Sequence, residues 1–397
     1  MIEVDQLNLS SLRDSNLFLR ALWASLRERF GRLGWQYTPR RTGSQQLIRF
    51  GWISLGTSAP TGIEVSIRYR QVGVIRAVQF DLQHGVQDTY PDIEQILRTC
   101  VKEAVERKGQ PGERLLSTQV RTLPRIPLAH YRGRNWYCGP LTSGETEIGI
   151  SVRGFDDADI RHEFAVRLVP LIDALSCMTN AAFEQVHDRE GEASAGHDDA
   201  NQFLVEEDSL DDSPVQDHRL LLSAAQLRYC EDLLEDEIHD ERLVRAASIF
   251  HRGLGIYRKL PDAHDLALAL FVSSLEAVDL PLSKPASCPT CNQPQHKISQ
   301  RVVDLGRRHL GHGVEGMFKE SYQRRSKYLH VGKDVASQPV TAPFIPQLDP
   351  DGIEGCAMPS AGNPKNMMEF TSFVIRREML LSDQSVHGHA AESNPLP

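Results

Sequence analysis

Arg325 and His330 stand five residues apart in the stretch Tyr322-Gln-Arg-Arg-Ser-Lys-Tyr-Leu-His330-Val-Gly332. The pair joins a permanent, planar cation to an imidazole, the side chain that most readily exchanges protons near neutral pH. Such a pair suits cleavage of an RNA strand by its own 2′-hydroxyl. The imidazole removes the hydroxyl proton and returns one to the leaving oxygen. The guanidinium offsets charge gathering on the phosphorane. No metal is needed for this chemistry. On a helix turning about 100° per residue, Arg325 and His330 lie about 140° apart, with Tyr322, Ser326 and Leu329 between them on one broad face. One arginine and one histidine make a thin site. Two copies related by a two-fold axis would supply two of each around a strand, so a homodimer is expected.

A second constellation is Cys288-Pro-Thr-Cys291, with His296 five residues later and Cys356 in a more distant loop. This is the spacing of half a structural zinc site. A free-thiol loop and a redox pair are the competing readings. A zinc there would pin a loop and take no part in catalysis. His309 and His312, beside Arg307 and Arg308, form a small basic cluster near the expected RNA path. His251 and His264 read as packed or surface residues.

The elements that must position these groups follow from periodicity. After a break near residue 217 the chain is helical throughout. Helices are expected over His218–Glu237, Asp240–Leu260, Pro261–Leu280, Gln295–Leu310 and Val314–His330. A sixth starts at Asn363-Pro364, read as cap and first turn, and runs to about Ser382. The third is apolar almost all round, which places it at the centre of a bundle. Gly332 is a left-handed terminator for the fifth. The first 187 residues mix patterns. Helical spacing covers Leu12–Phe30, Pro91–Arg107 and Asp159–Val186. Strand-like runs occupy Gln46–Leu55, Ile63–Tyr69, Gly73–Phe80, Leu115–Leu123 and Thr146–Val152. The fold class expected is an α+β N-terminal domain followed by an all-α helical bundle.

The chain of 397 residues carries a formal net charge of −9, which argues against a nucleic-acid partner until its distribution is read. Residues Asp188–Asp217 hold eleven acidic side chains and one arginine, so the remainder sums to about +1. That acidic segment reads as a flexible linker, too poor in apolar residues to fold alone. Four parts result: an α+β domain at 1–187, the linker at 188–217, a bundle at 218–382 and a disordered tail at 383–397. No apolar run is long enough to cross a membrane. An odd count of seven cysteines and no secretion signal fit a cytoplasmic protein. Phosphate-binding glycine loops, a nucleophile elbow and a zinc-protease helix are absent from the sequence.

Arg325-Ser-Lys-Tyr-Leu-His330, ending a helix in an all-helical region after the buried run Phe271-Val-Ser-Ser-Leu-Glu-Ala-Val278, resembles the HEPN superfamily. That motif is an arginine, a polar residue, and a histidine four to six residues beyond the arginine. The resemblance covers Asp217 to Ser382, about 40% of the chain, and is closest to HEPN domains of bacterial defence proteins. It implies a helical bundle, dimerisation along the motif helix, and metal-independent endoribonuclease activity with no catalytic cofactor. Arg325 and His330 match the motif pair. Ser326 takes the polar position, where Asn, Asp or His is frequent. Arg324, six before His330, is a second candidate for the phosphate contact. Glu276 becomes a partner that orients Arg325 or a neighbour, and Tyr322 a base-stacking or packing group. HEPN bundles also act without catalysis, as nucleotide or RNA binders and assembly modules. The N-terminal domain is expected to sense a trigger ligand or protein, or to hold the substrate.

Overall fold

The computed structural model describes residues 1–5, 7–42, 45–55, 62–69, 73–141, 143–186, 191–192, 201–203, 214–235, 240–278, 298–332, 347–348, 356–357 and 364–392. They divide into two compact units: Met1–Arg114 with Val152–Phe164, and Leu115–Ser151 with Ala165–Pro397.

The first unit contains β1 (Ile2–Val4), α1 (Leu12–Phe30), β2 (Leu33–Thr42), β3 (Gln45–Ser54), β4 (Gly62–Tyr69), β5 (Ile75–Leu82), the one-turn α2 (Val86–Thr89) and α3 (Ile93–Arg107). The strands form one antiparallel sheet in the order β1-β5-β4-β3-β2. Alternation sends Ile63, Val65 and Ile67 of β4, with Val78 and Phe80 of β5, into one core. Phe18, Leu22 and Leu26 of α1 and Leu97, Cys100 and Val101 of α3 complete it. Ser11 caps α1, its hydroxyl accepting from the Asp14 N–H at 3.0 Å.

Along the chain there follow β6 (Gly112–Leu123), β7 (Tyr131–Arg132), β8 (Trp136–Pro140), β9 (Thr146–Gly154), α4 (Asp157–Thr179) and β10 (Ala182–Gln185). After them come the short β11 (Gly191–Glu192), β12 (Val215–Gln216) and β13 (Arg219–Leu220), then α5 (Ala224–Leu234), α6 (Glu241–Lys259), α7 (His264–Val278), α8 (Ile298–Leu310) and α9 (Glu315–Val331). Two-residue β14 (Gln347–Leu348) and β15 (Cys356–Ala357) precede α10 (Pro364–Glu392). The second sheet runs β10-β6-β9-β8-β7, with β11 on β6.

The C-terminal half is helical, with α7 at its centre, touching α6, α8, α9 and α10. Phe250 of α6 meets Phe271 of α7 at 5.5 Å between ring centroids. Gly306 of α8 lets Phe318 of α9 approach so closely that a Cβ at 306 would sit 2.7 Å from the ring. Phe318 in turn stacks on Phe370 of α10. These contacts fix where the motif helix lies.

The structure corrects three expectations. The units do not part at the acidic segment. Residues 115–151 and 165–186, read as N-terminal, belong with the helices: the Ala129 N–H donates to Leu220 O at 2.9 Å, and Tyr131 Oη and the Asn135 N–H donate to Glu231 at 2.9 Å each. The helical unit is therefore not all-α. Second, α4 stops at Thr179 rather than Val186. Asn180 turns left-handed at φ 52°, and β10 then pairs with β6. Third, α10 continues to Glu392 through the start of the expected disordered tail. Most of 188–217 lies outside the described residues, as do Cys288, Cys291 and His296.

Candidate active site on the motif helix

Helix α9 has the expected bounds to within a residue. It ends at Gly332, left-handed at φ 63°, whose N–H donates to Tyr328 O at 3.0 Å. Its buried side, carrying Phe318 and Ser321, faces the bundle.

Arg325 turns inward, toward α7. Its Nη2 pairs with Glu276 Oε2 at 2.8 Å, and its Nε donates to Ser273 Oγ at 3.3 Å. The guanidinium lies 5.8 Å from the centroid of the Tyr322 ring. Both partners of the ion pair are largely enclosed, Arg325 at 19% and Glu276 at 15% side-chain exposure. Burial raises the Glu276 carboxyl above its ordinary value, against the opposing pull of Arg325 and the Tyr322 hydroxyl. Its Oε1 has no hydrogen-bond partner. The acid therefore depends on Arg325 for compensation, and in return it fixes the orientation of the guanidinium.

Arg324 is buried, with its Nη2 on Glu320 at 2.7 Å and its Nη1 unpartnered. It is turned away from solvent and is not placed to meet an incoming phosphate. Ser326 is half-buried, one turn before His330. His330 itself is exposed, as are Lys327 and Leu329. Among the described residues no hydrogen bond or ion pair joins His330 to Arg325. Within one chain, then, the structure unites Arg325, Glu276 and Tyr322 but leaves His330 on the outer surface.

Ser273 escaped the sequence reading. The available signal was its i,i+3 spacing to Glu276 on an apolar helix, which puts two polar groups on one stripe. The basic cluster before α9 is internally compensated. Arg307 pairs with Asp304 at 3.0 Å, Arg308 with Glu378 at 3.0 Å, His309 with Glu378 at 2.6 Å and His312 with Glu315 at 3.3 Å. His251 is held by Asp173 at 2.7 Å and by the Phe183 backbone, a structural role. The four described free cysteines are all buried, and burial pushes Cys100 up to about 11 and the other three higher still, so none is poised as a nucleophile. Among the described residues no group of three potential metal ligands converges, and no helix is long and apolar enough to cross a membrane. The chain matches no protein-family model, no curated protein and no solved structure.

Proposed function

We propose that this protein is a metal-independent endoribonuclease of the HEPN type, working as a homodimer through α9. The observation that carries this reading is the Arg325–Glu276 ion pair: the helix ending in His330 holds its arginine in a fixed pose against a buried acid of the central helix. Sequence resemblance supplies the rest. His330 takes the 2′-hydroxyl proton, O2′ bonds to phosphorus, the P–O5′ bond breaks, and O5′ leaves with a proton from an imidazole. Arg325 stabilises the phosphorane through the donors that Glu276 and Ser273 leave unused. A second copy would bring another His330 and Arg325 to the same strand. We place the protein in the cytoplasm as a defence or toxin-like effector, with the first unit receiving a trigger.

The test is cleavage of a mixed RNA pool in excess EDTA by the full chain, beside His330→Ala and Arg325→Ala. Products ending in 2′,3′-cyclic phosphate, lost in both variants, support the reading. Cleavage that survives in both variants overturns the site.

A second reading, a non-catalytic nucleotide- or RNA-binding or assembly module, draws on the inward turn of Arg325 away from His330. It expects RNA binding that is indifferent to His330→Ala, and no cleavage under any condition.

A further inference from the structure

The outer face of α9 carries a row of exposed polar groups: Lys319, Gln323, Lys327 and His330. At about 100° per residue they fall within an arc of about 80°, and at 1.5 Å per residue the row is about 16 Å long. The two acidic residues of α9 do not cancel it. Glu320 is engaged by Arg324, and Glu315 by His312 and the Gly313 N–H. Among the described residues neither Lys319 nor Lys327 has a carboxylate partner. The basic residues just before α9 each have an acidic partner, whereas the two lysines of this row have none among the described residues.

Lys327 is the cation nearest His330 on that row. Residues three apart on a helix have Cβ atoms about 5–6 Å apart. Arg325, by contrast, is swung about 140° from His330 and bound to Glu276. The site also sits at a helix C-terminus, where the last carbonyls present partial negative charge and repel a phosphate. A cation on His330's own face is what would offset that repulsion.

We infer that the RNA backbone runs along the outer face of α9, with Lys327 contacting the phosphate beside His330 and Lys319 holding the strand farther along. This rests on the ribonuclease reading and adds the path of the substrate to it. A primary ammonium suits the role because it binds phosphate as a point charge without needing a planar fork.

The experiment uses full-length protein and a fluorescein-labelled single-stranded RNA. Binding is followed by anisotropy across a salt series in the non-cleaving His330→Ala background, and cleavage is followed in the otherwise wild-type chain. Lys327→Ala and Lys319→Ala should each weaken binding at low salt. Each should also flatten the slope of log affinity against log salt by about 0.7, the value for one phosphate contact on a single strand. In the active chain Lys327→Ala should lower kcat about tenfold or more, with Lys327→Arg restoring much of it, while Lys319→Ala should mainly raise KM. Lys102→Ala, an exposed lysine of α3, is the control. Unchanged salt slopes and cleavage in both lysine variants would overturn the track while leaving the nuclease intact. A folded wild-type chain that neither binds nor cuts RNA would overturn both the track and the reading beneath it.

Discussion

Helices α1 and α9 are of similar length, 19 and 17 residues, and both are rich in arginine, yet they treat charge in opposite ways. On α1, Arg20 is bonded to Asp159 at 2.9 Å, Arg27 to Asp156 at 2.6 Å and Arg29 to Glu103 at 3.2 Å. These cations are matched by acids of their own unit and serve to hold it together. On α9 the charge is split. Arg325 and Arg324 are paired at the bundle side, while Lys319, Lys327 and His330 face outward with no acid among the described residues. On α1 only the exposed Arg13 has no acid partner among the described residues, so little is left there with which to bind an anion. A helix that leaves its cations unmatched along a single face can bind one, and it accepts some self-repulsion in exchange. The carboxylates show the same contrast. Asp14 is lowered by its hydrogen bond from Lys108. Asp156, which burial alone would raise, is brought below its ordinary value by Arg27. Glu276 stays raised despite Arg325.

The largest expected effect is on activity. His330→Ala should reduce RNA cleavage by about 10²- to 10⁴-fold, measured as cyclic-phosphate product, while Arg20→Ala on α1 leaves the rate per folded molecule unchanged. Equal losses from both would erase the distinction between the helices. Next comes stability. Arg325→Ala strands a buried carboxylate and should cost about 2–4 kcal/mol in urea unfolding, most of it recovered by adding Glu276→Gln. Arg27→Ala leaves Asp156 still accepting from the Asp159 N–H, and should cost about 1 kcal/mol. A double variant no better than Arg325→Ala alone would show that the acid is not the source of the loss.

The pH response should differ in sign. Asp156 has a lowered carboxyl, so its stabilisation is complete above the ordinary value of 3.8 and is lost as pH falls through the lowered one. The stability gap between the wild type and Asp156→Asn should therefore close in acid. Glu276 has a raised carboxyl, so its burial penalty is present at neutral pH and is relieved as pH falls through the raised value. Against Glu276→Gln, the wild type should gain relative stability on acidification. Parallel trends in the two comparisons would contradict the assignment. The smallest effect is expected for an exposed pair: Arg98→Ala, which removes the i,i+4 contact to Glu94, should change stability by less than about 0.5 kcal/mol.

Much of the fold was legible because local patterns and tertiary packing agree. The spacing of Leu22, Leu26 and Phe30 gave α1 its bounds, the alternation of Ile63 to Tyr69 gave β4, and the all-round apolar character of the run beginning at His264 placed α7 at the centre of its bundle. Gly332 marked the end of α9 through its backbone freedom. Short or irregular pieces were not legible. The three-residue β1 and the Gly-containing β8 carry too few alternating positions to signal a strand.

Two things were left to the tertiary structure. One is partnership: periodicity says which face of an element is apolar but not what covers it, so nothing local in β6 to β10 announced that this sheet belongs with the helices. The other is the direction taken by long polar side chains. The sequence by itself determined that Arg324, Arg325, Lys327 and His330 share one helix, and at what angles. Only the packing of α9 on its neighbours decided that Arg324 is buried and that Arg325 meets Glu276, leaving Lys327 and His330 facing outward. Angular position on a helix comes from the chain alone, whereas the partner met at each angle is set by residues up to about fifty positions away.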